Sequence, residues 1–340
     1  MFSPDGRTLA ATGSDRVVAL FEVPERLPVG HNGFVNTLAF SPDGRTLASA
    51  GEDHNVVLWD VPGRAPRAIL RGHRDQVTGV AFSPDGRMLA SASFDGTVAL
   101  WDVPGARRLD VPAFAARDVF KLAFSPDGSV LALAHYDGTV SLWDTGRWVR
   151  TAVFRGHRGQ VRSLGFRGDG RRLASGDEDG QVIVWDVASR SPFASWPAHS
   201  DTVNRVAFSR DGHALASAGD DGVAMVWDAD QAGIPKLFLP GENVQFSPDG
   251  TMLATLRGSE NRIVVSDVAA GVTTGLLTYG IGIAFSPDGQ RLATAGQDVV
   301  VHDLDPASWQ GRLCALAGRD LTDAEWERFA PGVRRRAICR

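Results

Sequence analysis

Short apolar runs rich in Val, Leu, Ala and Phe alternate with polar turns along nearly the whole chain, and the alternation is periodic. Around Phe82 the pattern predicts one strand over Val77–Phe82, a turn over 83–86, a second strand over 88–92, a turn at Asp95-Gly96 and a third strand over 98–101. A fourth, less regular strand precedes the next unit. The strands read as near-continuous apolar segments, so each small sheet is expected to bury both faces against its neighbours. No helix of ordinary length fits inside the unit.

The unit recurs. Phe-Ser-Pro-Asp-Gly, or a near variant, begins at Phe2, Phe40, Phe82, Phe124, Phe166, Phe208, Phe246 and Phe285. A period in the low forties with four strands per copy fits a propeller blade, so the expected fold class is an all-β propeller. Gly30-His31, Gly72-His73, Gly156-His157 and the variant Ala198-His199 precede Trp59-Asp60, Trp101-Asp102, Trp185-Asp186 and Trp227-Asp228, always with 28 residues from His to Trp. On these residues the chain resembles the WD-repeat family over most of its length. The resemblance implies seven blades over 25–305, closed by Arg26–Gly30 adding a strand to the last sheet, with 1–24 left over as a partial repeat. Eight blades with defective first and last members is the alternative. The outer copies depart from the pattern, since Phe21-Glu22, Ser266-Asp267 and His302-Asp303 stand where Trp-Asp is expected.

The segment 306–340 reads as a helical tail. Asp305-Pro306 supplies a cap and first-turn proline for one helix; Thr322 with Glu325 forms a capping box, and Leu321 with Trp326 a hydrophobic staple, for a second. This tail resembles the end of actinobacterial WD-repeat proteins whose N-terminal parts are STAND-type signalling NTPases. With a chain that opens in mid-repeat, it suggests a truncated fragment of such a protein, equivalent to its sensor end. Cys314 and Cys339 read as free thiols, with a disulfide between the two helices as the alternative.

Composition narrows the function classes. With 22% charged and 43% hydrophobic residues and no apolar run near the length of a membrane helix, a soluble chain without membrane insertion is expected. The opening Met1-Phe2-Ser3-Pro4 carries no secretory signal, which points to the cytoplasm. A net charge of -5 gives no long-range attraction for a phosphate backbone, so nucleic acid is not an expected partner.

Four copies hold His, Ser, Asp and Trp in register: His31, Ser49, Asp53, Trp59; His73, Ser91, Asp95, Trp101; His157, Ser175, Asp179, Trp185; and His199, Ser217, Asp221, Trp227. A catalytic triad occurs once and needs an exposed nucleophile with an oxyanion hole, whereas this set recurs at buried strand positions. The resemblance implies instead a structural hydrogen-bonded network that ties the outer turn to the indole. In the copy around Phe124, Ala115 and Leu133 replace His and Ser while Asp137 and Trp143 remain, so an incomplete network is expected there. No phosphate-loop motif and no metal-ligand spacing appears, and the Pro-Asp-Gly turns need no calcium. No cofactor and no metal is therefore expected.

In WD-repeat proteins the top face carries the common binding positions. Mapped here they are Phe34, Asn36, Glu52, then Gln76, Thr78, Phe94, then Asp118, Phe120, Tyr136, then Gln160, Arg162, Glu178, then Thr202, Asn204, Asp220, with Tyr279 and Ile281 in the weaker end. Both tyrosines of the chain fall in this set. Phe34, Phe94, Phe120 and Tyr136 come from consecutive copies and could form one aromatic patch. The expected function is a non-catalytic scaffold or sensor that binds proteins or peptides. The alternative is a hydrolase or isomerase at the channel mouth, for which Asp118, Arg162, Glu178 and Asp220 are the loose candidates.

Overall fold

A computed structural model describes residues 9–12, 18–21, 31–33, 35–60, 65–111, 118–231, 233–247, 249–257, 262–269, 271–278, 282–285, 291–295 and 299–303. The segment 26–30, expected to add a closing strand, and Phe34, Ala115, Tyr279, Ile281 and the tail with Cys314 and Cys339 lie outside them.

Among the described residues the strands form eight antiparallel sheets, in which every strand pairs with its neighbours in sequence, and no helix is present. Six sheets have four strands. They are named here by the first residue of their inner strand: Val35–Phe40, Val77–Phe82, Val119–Phe124, Val161–Phe166, Val203–Phe208 and Asn243–Phe246. Leu9–Thr12 pairs with Val18–Phe21 in a two-stranded sheet, and Gly282–Phe285, Arg291–Ala295 and Val299–Asp303 form a three-stranded one. The Val77 sheet continues through Met88–Ser93, Val98–Asp102 and Arg107–Arg108, within about a residue of the strands read from the pattern.

The Pro-Asp-Gly turns are built from their own side chains. In the Val77 sheet the Ser83 hydroxyl donates to Asp85 at 2.6 Å, the same carboxylate accepts from the Arg87 amide at 3.0 Å, and the Met88 amide donates back to Ser83 Oγ at 2.9 Å. The motif repeats at Ser41/Asp43, Ser125/Asp127, Ser209/Asp211 and Ser247/Asp249. In each, the serine hydroxyl leads the interactions that hold the carboxyl below its usual range. These aspartates are committed to the turn, which explains them without an ion.

Second and third strands are almost wholly buried, whereas outer strands such as Ala65–Leu70 are mostly exposed. The core lies between sheets rather than within one. Ala48, Ala50 and Leu58 of the Val35 sheet pack on Leu89, Ala99 and Trp101 of the next, and Ala90, Ala92 and Leu100 of that sheet pack on Leu131, Leu133 and Trp143. A face of small residues thus receives the large residues of its successor, which lets the sheets approach closely along their length. Inner strands meet inner strands in chain order, the packing of a propeller, and Leu9–Thr12 comes near Arg291–Ala295.

Every complete inner strand from Val35 to Val203 carries one bulge near its start. Register skips between Val35 and Thr37, Val77 and Gly79, Val119 and Lys121, Val161 and Ser163, and Val203 and Arg205. The skipped residues are Asn36, Thr78, Phe120, Arg162 and Asn204. A bulge leaves its extra residue out of the ladder and re-aims its side chain, so the fold itself singles out these five positions.

Candidate functional site

The His-Ser-Trp side chains come together in four sheets. In the Val77 sheet the Trp101 indole donates to Ser91 Oγ at 2.8 Å, His73 Nε2 lies 2.7 Å from the same oxygen, and His73 Nδ1 lies 3.2 Å from Asp95. With the carboxylate accepting, Nδ1 carries the ring proton, the serine hydroxyl donates to Nε2, and the indole donates to serine. The same chain runs through His31, Ser49, Trp59 and Asp53, and through His199, Ser217, Trp227 and Asp221. All four serines are fully buried, so none is an accessible nucleophile.

The Val161 sheet corrects one residue of the reading. His157 Nε2 meets Ser175 at 2.6 Å and Trp185 donates to Ser175 at 2.7 Å, but His157 Nδ1 bonds Asp177 at 2.8 Å, not Asp179. Asp177 ends its strand where the other sheets have Gly51, Ser93, His135 or Gly219, and its buried carboxylate also accepts from the Gln181 and Asp179 amides. Being nearer the ring, it displaces Asp179, which is left exposed.

The Val119 sheet corrects a second expectation, because its network is rerouted rather than incomplete. Trp143 donates to Ser141 Oγ at 3.0 Å, and His135 Nε2 lies 2.7 Å from that oxygen. Elsewhere the serine on the second strand pairs with an apolar residue on the third: Ser49 with Val57, Ser91 with Ala99, Ser175 with Ile183, Ser217 with Met225. Here Leu133 pairs with Ser141. The hydroxyl and its apolar partner have exchanged strands on one face, and His135 approaches from within the sheet.

The Asp95 pair sets a pH dependence. Burial raises the Asp95 carboxyl, but the Thr97 hydroxyl, the Arg74 and Thr97 amides and the charge of His73 outweigh it and bring the carboxyl down to about 2. Burial lowers His73 more than Asp95 raises it. A depressed carboxyl stabilises the fold above its unfolded pKa near 3.8 and loses that contribution as pH falls toward 2. Between pH 4.5 and 2.5, wild type should therefore lose on the order of 1–2 kcal/mol more stability than Asp95→Asn. Denaturant titrations at both pH values measure this; equal losses would remove Asp95 from the account.

Along the bulged rim, the fold unites the first and third top-face positions of four sheets by one repeated bond. Phe94 N donates to Gln76 O, Tyr136 N to Asp118 O, Glu178 N to Gln160 O and Asp220 N to Thr202 O, at 2.9 to 3.0 Å. The rings of Phe94 and Tyr136 are 6.2 Å apart, and Phe120 meets Tyr136 edge-on at 5.7 Å. The Arg162 guanidinium lies 4.8 Å from the Phe120 centroid and 3.8 Å from Glu178. Thr202 donates to the Glu178 carbonyl at 3.4 Å, and Asn204 to Asp220 at 2.5 Å and to the Glu242 carbonyl at 3.3 Å.

One contact chain therefore runs from Phe94 to Glu242. Phe94 is 45% exposed, large for an aromatic ring. Arg162 Nε and Gln160 Oε1 are buried without a hydrogen-bond partner among the described residues. Burial raises the Tyr136 hydroxyl against the opposing influence of Arg162.

Asn36 and Glu52 occupy the corresponding rim of the Val35 sheet, Asn36 exposed and donating to the Val77 carbonyl at 3.4 Å and Glu52 half-buried. Thr78 does not belong to the exposed set. It is 6% exposed, and its hydroxyl donates to the Ala92 and Phe120 carbonyls, where it joins neighbouring sheets. Glu242, Lys121 and Arg205 escaped the sequence reading. The signal available for the two cations was their occurrence where other inner strands carry Thr37, Gly79 and Ser163.

The family model for the WD domain, G-beta repeat, matches residues 24–60, 64–102, 113–144, 148–186 and 190–228, more than half of the chain. This chain belongs to the WD-repeat family. No curated protein matches it. WD-repeat domains typically mediate protein–protein interactions and are generally non-catalytic. The matched repeats hold the four His-Ser-Trp networks and the rerouted one. Beyond them, in the Asn243 sheet, Ser266 stands where the indole would be, and Thr255 donates to the Pro240 carbonyl at 2.6 Å instead. Among the described residues no cluster of His, Cys, Asp or Glu could hold a metal, and no helix is long and apolar enough to cross a membrane.

Proposed function

We propose that this WD-repeat protein is a non-catalytic scaffold or sensor module that captures partner proteins or peptides on the bulged rim. The observation that carries the proposal is the contact chain of Phe94, Tyr136, Phe120 and Arg162, with unpartnered polar atoms on Arg162 and Gln160. Aromatic groups and arginine supply most hot-spot energy, and a rigid ring loses little conformational entropy when a partner docks. Gln76, Asp118, Glu178, Thr202, Asn204 and Asp220 form the polar surround, which would set specificity more than affinity. Asn36 and Glu52 extend the proposed surface to the Val35 sheet. The proposal extends to a role at the partner-sensing end of a cytoplasmic signalling system, which the sequence of segment 306–340 suggests by resemblance.

The test is a pull-down from the native host with wild type and a Phe94→Ala/Tyr136→Ala double variant, followed by affinity measurement on the strongest partner. Loss of about 2 kcal/mol, roughly thirtyfold in affinity, is expected. Melting curves should nearly coincide, because these rings lie outside the cores between sheets. Retention of every partner, or loss that tracks unfolding, would place binding elsewhere.

A further inference from the structure

Two guanidinium groups of this molecule are held in the same way. Arg162 lies 4.8 Å from the Phe120 centroid with the Glu178 carboxylate 3.8 Å away, and Arg172 lies 3.4 Å from the Phe193 centroid with the Asp186 carboxylate 3.8 Å away. One nitrogen of each, Arg162 Nε and Arg172 Nη1, is buried without a hydrogen-bond partner among the described residues. A ring face and a carboxylate thus hold these cations where directed hydrogen bonds are incomplete. The two sets belong to different places, one to the bulged rim and the other to the start of Arg172–Asp177 beneath the outer strand Ser191–Pro197.

A third set of the same composition has no cation. The Phe94 and Tyr136 rings are 6.2 Å apart, and among the described residues no lysine or arginine lies over either one. Asp118 supplies the carboxylate. Its carbonyl accepts the Tyr136 amide at 2.9 Å, and its Oδ1 stands 4.0 Å from the place of a Cβ on Gly96, against the turn that carries Phe94. The side chain is exposed and has no hydrogen bond or ion pair among the described residues. The neighbouring cations are engaged elsewhere: Phe120 takes Arg162 and, at 5.4 Å, Lys121, whose ammonium donates to the Thr78 carbonyl.

The backbone sets Asp118 apart as well. Its φ is 59°, whereas Gln76, Gln160 and Thr202, which accept the same bond in the other sheets, do not enter the left-handed region. Left-handed backbone at a residue other than glycine costs free energy and collects at ligand sites.

We propose that Phe94, Tyr136 and Asp118 seat the guanidinium of an arginine in a partner peptide, completing from outside the set that Arg162 and Arg172 complete from within. The inference rests on the rim as the partner-binding surface and names the partner chemistry there. A guanidinium suits this seat better than an ammonium, because its weakly hydrated plane stacks on a ring while its edge forks onto a carboxylate. An acidic side chain would meet the uncompensated charge of Asp118.

The test titrates the full chain, by ligand-observed magnetic resonance, with acetylated and amidated pentapeptides Gly-Gly-Xaa-Gly-Gly in which the central residue is arginine, lysine, citrulline or glutamate. Saturable binding should be strongest for arginine, about threefold weaker for lysine and about tenfold weaker or worse for neutral citrulline and for glutamate. Asp118→Asn, whose amide tolerates the same backbone, should weaken arginine binding about fivefold, and Phe94→Ala/Tyr136→Ala should abolish it. Phe193→Ala, far from the rim in the fold, should leave it unchanged. Absence of saturable binding, equal binding of arginine and either lysine or citrulline, or full binding by Asp118→Asn overturns the assignment, and the peptide comparison on wild type decides even if a variant fails to fold. Capture of native partners separates this outcome from failure of the rim reading. A partner lost by the ring variant but kept at full affinity by Asp118→Asn overturns the arginine seat and leaves rim capture standing, whereas retention by both variants removes both.

Discussion

Trp101→Ala is expected to destabilise the protein by about 3–5 kcal/mol. The indole is 1% exposed and belongs to the core formed with Ala48, Ala50 and Leu58 of the preceding sheet. Its removal opens a cavity at an interface between sheets and takes away the donor that Ser91 accepts. Trp143→Ala should cost a comparable amount, since Ser141 and His135 complete its network by another route. Denaturant midpoints read by far-ultraviolet circular dichroism measure both, with Arg158→Ala, on an exposed side chain, as control. Losses as small as the control's would contradict the packing described.

The second large effect concerns Gly180, and Gly222 is its internal comparison. Both occupy the same turn in successive sheets and have left-handed backbones, with φ of 82° and 78°. A Cβ on Gly180 would run into the carbonyl oxygen of His199, whereas Gly222 has no heavy atom within 4 Å of that position. The Gly180 carbonyl also accepts the Ala198 and His199 amides, both at 2.9 Å, so this turn cannot move aside without breaking the connection to the next sheet. Gly222→Ala should cost about 1 kcal/mol, the penalty of the left-handed conformation alone. Gly180→Ala should cost about 3 kcal/mol or more, since backbone collision is added to that strain. Equal losses in parallel denaturant titrations would show that conformation alone sets the cost.

Strand positions were legible because the apolar runs and their turns repeat with little variation, and one sheet read correctly extends to its neighbours. The networks were legible where each copy offers a single donor and acceptor of each kind. Asp177 and Asp179 are two residues apart on one turn, and only the fold decides which carboxylate reaches His157 first. The exchange of Leu133 with Ser141 is written in the sequence, but it becomes visible only when the third strand is laid beside the second. A skipped residue inside an apolar run does not disturb its pattern, so the bulges themselves are not read from the periodicity; the family resemblance assigns all five bulged residues to the top face and does not separate Thr78, which is buried.

The bulges bear on how such a ring changes over generations. The exposed or half-exposed bulged residues Asn36, Phe120, Arg162 and Asn204 include an amide, an aromatic ring and a cation, while every one of their strands keeps Val at its start and Phe at its end. A residue outside the ladder is released from the constraint that keeps its neighbours apolar, so substitution there alters what the rim displays before it alters what holds the sheet together. Each repeat thereby offers a variable position on an invariant frame. Selection, natural or in a randomised library, can search partner chemistry at these places while the folding problem stays solved.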